Sequence, residues 1–560
     1  MAEKNSLWLY GPMAAMDPTL LAGLRDPRAY PNAPLDVEVV QTHISCVFLA
    51  GDAVYKVKKP VRFSFLDFST LERRRHFCEE EVRLNRRLAP AVYRGVVPIV
   101  QTQDGYRVGA SGTPVEYAVE MERLPQERLL RAVVERGEAD DALFERIAAK
   151  IAAFHADPST LSNATECALP EEIARTLRET FDALESASRD VQDADTRTLA
   201  GQARNADAAA LADLRVLTGA ALARVAPLLR RRRTAGRVRD AHGDLRADHI
   251  CCTEALPIID CVEFSTRLRT CDVASEVAFL ASELDFLGAP ARADALVSGY
   301  VRASGDMELP ALLPFFRAYR AAVRAMVATL TAGESEVEAA QRARQREDTR
   351  RYMTLATRRA WQAQGPLLVV VMGSSGSGKS RLATALADES GLLVLRSDVL
   401  RKRLAGLAPL TRPTTTTVRA RLYSAAHAAA VYGALAADAA RALASGYGVV
   451  VDATFQRRND RARIHAAAAR AGVPLFWIEC RAATSTIHDR LRARAARGED
   501  PSDATVAIAD EQARRFEPLT AADEPRLTLA TDREPDPLAT ARRWLVRQRA
   551  VMLDGMAFAC

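Results

Sequence analysis

The stretch Gly373-Ser374-Ser375-Gly376-Ser377-Gly378-Lys379-Ser380 decides how the C-terminal part of this chain folds. It reads G-x-x-x-x-G-K-S. Glycines let the backbone bend until successive N–H groups point inward at phosphate oxygens. At the end of such a loop Lys379 reaches the β- and γ-phosphates, and the Ser380 hydroxyl can hold Mg²⁺. The flanks agree. Leu367 to Met372 is a short apolar run of buried parallel-strand type. Arg381 to Glu389 reads as a helix, broken at Gly391, whose positive N-terminal end faces the same phosphates. A chance Gly/Ser turn before a lysine would lack both flanks, so residues 373–380 predict a nucleoside triphosphate site.

Outward from that loop, strand and helix signals alternate. Leu392 to Arg396, Val449 to Asp452, Pro474 to Cys480 and Leu527 to Ala530 read as strands, and Thr411 to Thr417 as a polar loop. Repeated β-α alternation predicts an open parallel sheet with helices on both faces and ligands at the carboxyl ends of the strands. Asp398 and Asp452 both end strands. One can take a proton from an attacking hydroxyl, and one can orient the Mg²⁺ water shell. Arg401 lies one helical turn from Asp398. Arg490, Arg494 and Arg497 line one helix face before the polar run Gly498 to Asp503. A lid carrying arginines onto a phosphoryl group has this make-up, with Arg494 a candidate catalytic residue; so does an ordinary basic face. The pattern resembles the small P-loop kinases: phage polynucleotide kinase, zeta-toxin-like and gluconate kinase-like enzymes. That resemblance, over residues 366–550, implies that Asp398 is the general base and that Arg401 contacts substrate.

Upstream, Thr42 to Lys59 reads as a β-hairpin with its turn at Ala50-Gly51-Asp52. Lys56 and Lys58 project from one face of its second strand. Lysines there suit a solvated edge as well as a phosphate contact. Leu71 to Leu88 reads as a helix carrying Glu79, Glu80 and Glu81, and Val115 to Met121 as a strand. A long Ala-rich helical region follows, residues 140–232, in which His155 reads as a satisfied core histidine.

Asp240 to Ile250 holds His242-Gly243-Asp244 and then His249, and Leu256 to Phe264 reads as a strand bearing Asp260. Asp244 could accept a hydroxyl proton while His249 and Asp260 hold Mg²⁺ on a triphosphate. A polar loop whose acids cap neighbouring elements would look the same. The running order is a strand Lys, a helix Glu, a hinge-like strand, His-x-Asp and a later Asp. That is the order of the two-lobed protein-kinase-like fold. Over residues 35–330 the chain resembles the aminoglycoside phosphotransferase-like family. The resemblance implies Lys56 on the α/β-phosphates, Glu81 as its ion-pair partner, Asp244 as base and Asp260 on the metal. It also implies the backbone of Glu120 to Glu122 at the adenine, and Arg269 with Asp272 as a loop-stabilising polar pair. There are two departures. His249 stands where the family has Asn, and imidazole suits Mg²⁺ less well than an amide oxygen does. Thr42-His43-Ile44-Ser45 replaces the glycine-rich loop. Over its full length the chain resembles two-domain proteins that fuse such a domain to a small P-loop kinase.

Composition bounds the rest. Apolar content of 48% is ample for packed cores, and the net charge of +6 is mild for 560 residues. With aromatics at 6%, this weighs against a nucleic-acid acceptor without removing it. The arginine runs at 73–75 and 230–233 read as solvated faces. The nine Cys fit no zinc spacing. MAEKNSLWLYG has no signal-peptide pattern and no run reaches a membrane-spanning length, so a cytoplasmic protein is expected. The expected organisation is a multidomain α/β and α+β chain: a kinase-fold domain at 1–335, a charged helical linker at 336–365 and a P-loop domain at 366–550. The expected activity is transfer of the γ-phosphoryl of ATP, with Mg²⁺, to a small-molecule hydroxyl (sugar, aminoglycoside or nucleoside-like). The alternatives are a P-loop kinase regulated by a degenerate kinase-like domain, and a nucleic-acid 5′-hydroxyl kinase. The oligomeric state stays open.

Overall fold

The structure, a computed structural model, describes residues 16–42, 44–63, 66–193, 200–333, 337–411, 415–497 and 501–557. It forms two units: residues 1–198 with 225–356, and residues 199–224 with 357–560.

Unit one opens with an antiparallel sheet. Its strands are β1 (Val37–Gln41), β2 (Ser45–Ala50), β3 (Ala53–Lys58), β6 (Tyr93–Thr102), β7 (Gly105–Val108) and β8 (Pro114–Glu122), in the order β1-β2-β3-β8-β6-β7. The short β4 (Arg62–Phe63) and β5 (Leu66–Asp67) form a ribbon beside it, and β9 (Val238–Asp240) pairs with β10 (Thr270–Asp272). Alternation along the strands gives the sheet two packed faces. Cys46, Phe48, Tyr55 and Val57 build one core. Val54 and Val119 build the other, with Cys78 and Val82 of helix Leu71–Asn85. Thr70 caps that helix by accepting the Arg73 N–H. A helical lobe follows, including helices Asp141–Ala156, Pro170–Asp193, Val273–Phe286, Pro290–Ser304 and Leu309–Gly333.

Residues 256–264 do not form the expected strand. Ile258 makes one isolated bridge to Ile250, and the chain then turns through Asp260 at a left-handed φ of +65°. The amides beyond are satisfied singly: Cys261 N–H donates to Asn85 Oδ1 and Val262 N–H to the His242 carbonyl.

The run at 230–233 is only partly solvated. Arg230 and Arg231 are exposed, but Arg232 is 0% exposed and forked between Asp272 (2.9 Å) and Asp306 (2.6 Å). Removing one member of such a buried group leaves uncompensated charge. Arg232→Ala is therefore expected to destabilise unit one by about 3–5 kcal/mol, read as a lowered midpoint in denaturant unfolding of the full chain.

Unit two is built on β11 (Leu368–Met372), β12 (Leu393–Arg396), β13 (Val449–Asp452), β14 (Leu475–Arg481) and β15 (Arg526–Ala530). All pair in parallel, in the order β12-β13-β11-β14-β15. The central β11 is completely buried, as its unbroken apolar run requires. Unit two also takes in residues 199–224, which the sequence reading placed in the first domain. Leu214, Leu217 and Ala221 are buried there. Arg542 Nε donates to Asp213 (2.6 Å), and the Leu217 carbonyl accepts from Gln364 (2.9 Å). These partners lie too far along the chain for local pattern to reveal them.

The charged segment 336–365 holds helix Ala339–Ala363. It is not solvated all round: Tyr352, Ala356, Ala360 and Trp361 form a buried stripe at helical spacing. Among the described residues no helix is long and apolar enough to cross a membrane.

Candidate active sites

In unit one, β3 is an interior strand, so its lysines are not edge residues. The period of two turns Lys56 and Lys58 onto the face that helix Leu71–Asn85 covers. Lys56 Nζ lies 2.8 Å from Glu81 Oε1 and 2.5 Å from Asp260 Oδ1. Lys58, 1% exposed, lies 2.7 Å from Glu81 Oε2 and pairs with Glu263 as well. The expected Lys56–Glu81 pair is thus one edge of a two-lysine network. Neither Lys58 nor Glu263 carries a sequence signal that points to the other. Burial by itself would depress the Lys56 ammonium; Asp260 and then Glu81 more than offset it, and its pKa rises. Burial likewise works to raise the Asp260 carboxyl, but Lys56 and then His249 hold it well below the usual carboxylate range.

The His-x-Asp loop is fixed from below. Buried Glu276 accepts the N–H groups of His242 (2.8 Å) and Gly243 (2.7 Å) and lies 2.7 Å from His155 Nε2. His155, 4% exposed and also 2.8 Å from the Tyr300 hydroxyl, is the satisfied core histidine its sequence position suggests. Glu276 carries no motif of its own.

Asp244 is part-exposed on this loop. His249 Nδ1 lies 2.8 Å from the Asp244 carbonyl oxygen. A carbonyl only accepts, so Nδ1 carries the hydrogen and a neutral ring keeps its lone pair on Nε2. That nitrogen is 3.5 Å from Asp260 Oδ2. The Asp260 N–H donates to the Tyr93 hydroxyl at 3.1 Å, which holds the left-handed residue in place. A bare imidazole nitrogen and an ionised, 44% exposed carboxylate are a donor set that would help hold a divalent cation. Lys56, Asp244 and Asp260 all line a cavity of about 440 Å³ whose walls include Phe264, Phe279 and Phe316.

One family-implied detail does not hold. Arg269 pairs with Asp240, while Asp272 pairs with Arg232, so Arg269 and Asp272 are not partners. Glu120 sits inside the sheet, opposite Tyr55 and Gly95, and the Glu122 N–H donates to Val92. Of the backbone expected at the adenine, the Glu122 N–H is therefore already engaged. Of the loop at 42–45, Thr42 and Ser45 close a turn on each other; His43 lies outside the described residues.

In unit two, β11 ends at the phosphate loop. Gly373, Gly376 and Gly378 all have positive φ, and a Cβ on Gly373 would lie 2.3 Å from the Cys480 carbonyl oxygen. Ser374, Ser375 and Ser377 complete the curve, and Lys379 and Ser380 open helix Lys379–Ser390. Lys379 is 6% exposed and has no carboxylate or hydrogen-bond partner among the described residues. Asp452 ends β13 beside Val371 of β11 and Arg396 of β12. Arg396 Nε approaches its Oδ2 at 3.3 Å, while its buried Oδ1 has no hydrogen-bond partner among the described residues. A mostly buried lysine and a buried carboxylate oxygen, neither with a hydrogen-bond partner among the described residues, fit a Mg²⁺-triphosphate on this loop.

Asp398 lies in the first turn of helix Ser397–Leu404, straight after β12, with Arg401 Nε 3.8 Å from its Oδ1. The lid arginines diverge. Arg490 donates to Thr531 Oγ1 (3.0 Å), and Thr531 Oγ1 donates to the Ser377 carbonyl (2.6 Å), bracing the loop from beneath. Arg494 donates to the Ala504 carbonyl at 3.1 Å. The Arg497 side chain and residues 498–500 lie outside the description, as do 412–414 of the polar loop. Gln512 is one residue sequence reasoning missed: its Oε1 accepts the Ser375 N–H at 2.9 Å, occupying one cradle amide.

Family models match both units: a phosphotransferase enzyme family over residues 50–316 and an AAA domain over residues 368–519. Together these define an enzyme of the kinase and phosphotransferase class. The chain belongs to the family of two-domain proteins that includes Rv2004c of Mycobacterium tuberculosis (strain ATCC 25618 / H37Rv). The two are 31% identical over 492 residues, 86% of this chain and 90% of the other. A Mycobacterium bovis relative, Mb2027c, matches to the same extent. Among solved structures, a gluconokinase from Sinorhizobium meliloti 1021 is 21% identical, covering 35% of this chain and 97% of its own, with a TM-score of 0.23. The Mycobacterium tuberculosis APS kinase CysC is 25% identical, covering 33% and 96%, with a TM-score of 0.23.

Proposed function

We propose that each unit transfers the γ-phosphoryl group of ATP to a hydroxyl of a small molecule. The observation that carries this reading is the convergence of Lys56, Asp244 and Asp260 on one cavity, with Lys56 held by Glu81 at 2.8 Å. When bound, Mg·ATP supplies the phosphoryl group and the metal spreads its charge. In unit one, Lys56 holds phosphate oxygens, Asp260 and His249 face the metal, and Asp244 takes the acceptor proton. In unit two, Lys379 and the loop amides hold the phosphates, with Ser380 and Asp452 toward the metal. Asp398 takes the acceptor proton there, and Arg401 sets its orientation.

Residues 199–224 belong with unit two, so the test uses the full chain rather than separated halves. ATP turnover is measured with panels of sugars, aminoglycosides, nucleosides and 5′-hydroxyl oligonucleotides, in the wild type and in variants silencing one site at a time. Turnover that needs Asp244 with one acceptor and Asp398 with another supports two kinase sites. Turnover that never needs Asp244 leaves unit one a regulator. Asp398→Asn is expected to keep ATP binding while lowering unit-two transfer by about 10²–10⁴-fold, the range of a general base. Full transfer by that variant to an identified acceptor would remove Asp398 as the base.

A further inference from the structure

The cavity of unit one runs from the reacting groups into the helical lobe, where the far wall is mostly apolar: Phe279, Phe316, Val323, Val327 and Leu330. Five cations line it. Four have carboxylates within 4 Å: Lys56 by Asp260, Arg246 by Asp248 (2.7 Å), Arg267 by Glu179 (3.4 Å) and Arg324 by Glu283 (3.7 Å). Arg320 is different. It is 8% exposed, and its guanidinium has no carboxylate and no hydrogen-bond partner among the described residues. Its contacts are the faces of Phe279, at 4.7 Å, and Tyr319, at 5.4 Å.

A buried guanidinium always carries its charge, and leaving it unpaired in an apolar wall is costly. Cation–π contacts offset part of that cost. Its Nε is buried without a hydrogen-bond partner among the described residues, and a guanidinium fork matches a carboxylate. The cavity carboxylates do not balance it. Asp260 and Glu263 are engaged by Lys56 and Lys58, and Asp272 by Arg232, and none of them lies within ion-pair distance of Arg320. Asp244 lies at the reacting end, beside His249 and Arg246.

We propose that the acceptor of unit one is an amphipathic hydroxy acid. Its carboxylate pairs with Arg320, its apolar body fills the aromatic wall, and its hydroxyl reaches Asp244. A polycationic acceptor such as an aminoglycoside would bring like charge to Arg320 and is disfavoured. This rests on the phosphotransfer reading of the same site. In the reaction the hydroxyl proton passes to the Asp244 carboxylate, and the hydroxyl oxygen forms a bond to the γ-phosphorus of ATP. The bond from that phosphorus to the β–γ bridging oxygen breaks, and the bridging oxygen leaves on ADP with the electron pair.

Three probes with one body and different charge test this by calorimetry on the full chain without nucleotide: 10-hydroxydecanoate, 1,10-decanediol and 10-aminodecan-1-ol. The acid is expected to bind more tightly than the diol, and the amine most weakly. Arg320→Met should weaken the acid roughly ten- to a hundredfold, the worth of hydrogen bonds to a charged group, and leave the diol unchanged. Arg320→Lys should keep part of the preference. Equal or tighter binding of diol or amine by the wild type, no binding of the acid, or unchanged acid affinity in Arg320→Met would each overturn the proposal. The wild-type comparison needs no variant to fold. Acid binding without phosphorylation when Mg·ATP is added would sink the transfer reading and leave the anion site standing. Transfer to uncharged acceptors alone would do the reverse.

Discussion

Replacing Lys379 by alanine is expected to abolish nucleotide binding at the phosphate loop of unit two and to leave unit one folded and competent to bind. Lys379 is 6% exposed at the start of helix Lys379–Ser390, with no partner among the described residues. Its ammonium is therefore held for an anion rather than for the fold. Charge-assisted hydrogen bonds contribute about 1.5–3 kcal/mol each, and a lysine facing two phosphates makes more than one. Affinity should fall by at least roughly a hundredfold. Stability should not fall, because the substitution removes a buried charge without stranding a carboxylate. Titration calorimetry of the full chain with Mg·ATP reads both sites, and the stoichiometry should drop from two to one. Unchanged stoichiometry and affinity would dismiss the loop as the triphosphate site.

What was legible in the sequence follows from how local each signal is. The phosphate loop needs only consecutive residues, and the structure gives its glycines positive φ. The hairpin bearing Lys56 and the helix bearing Glu81 are short periodic patterns, and both form close to the expected bounds. Partners set by tertiary packing were not legible. Lys58 and Glu263 stand 205 residues apart, and nothing in either neighbourhood announces the other. Arg232 sits in an arginine run indistinguishable from a solvated one, yet it alone of the four turns inward between two aspartates. The expected strand at 256–264 fails because Asp260 adopts a left-handed conformation, a choice imposed by Tyr93, Lys56 and Asn85 from elsewhere in unit one. Backbone strain of that kind concentrates at functional positions, and here it falls on the residue assigned to the metal.

Asp244→Asn is expected to lower unit-one phosphoryl transfer by about 10²–10⁴-fold while Mg·ATP binding stays close to that of the wild type. The two effects separate because Asp244 does not belong to the Lys56–Glu81–Asp260 network that would hold the nucleotide. Asp244 lines the cavity, and the His249 ring is held through the backbone carbonyl of residue 244 rather than its side chain. Asparagine keeps that carbonyl and nearly the same shape, so His249 and the loop pinned by Glu276 should stay in place. The ability to accept a proton is lost, together with one negative charge beside Arg246 and His249. Two sites in one chain would blur the reading, so the measurement belongs in the Lys379→Ala background, where remaining turnover comes from unit one. Hydroxyl-dependent ADP release there should collapse with Asp244→Asn, while calorimetry still finds one bound nucleotide. If transfer persists at the parent rate, Asp244 is not the base. If transfer and nucleotide binding vanish together, the residue supports the site's architecture rather than its proton transfer.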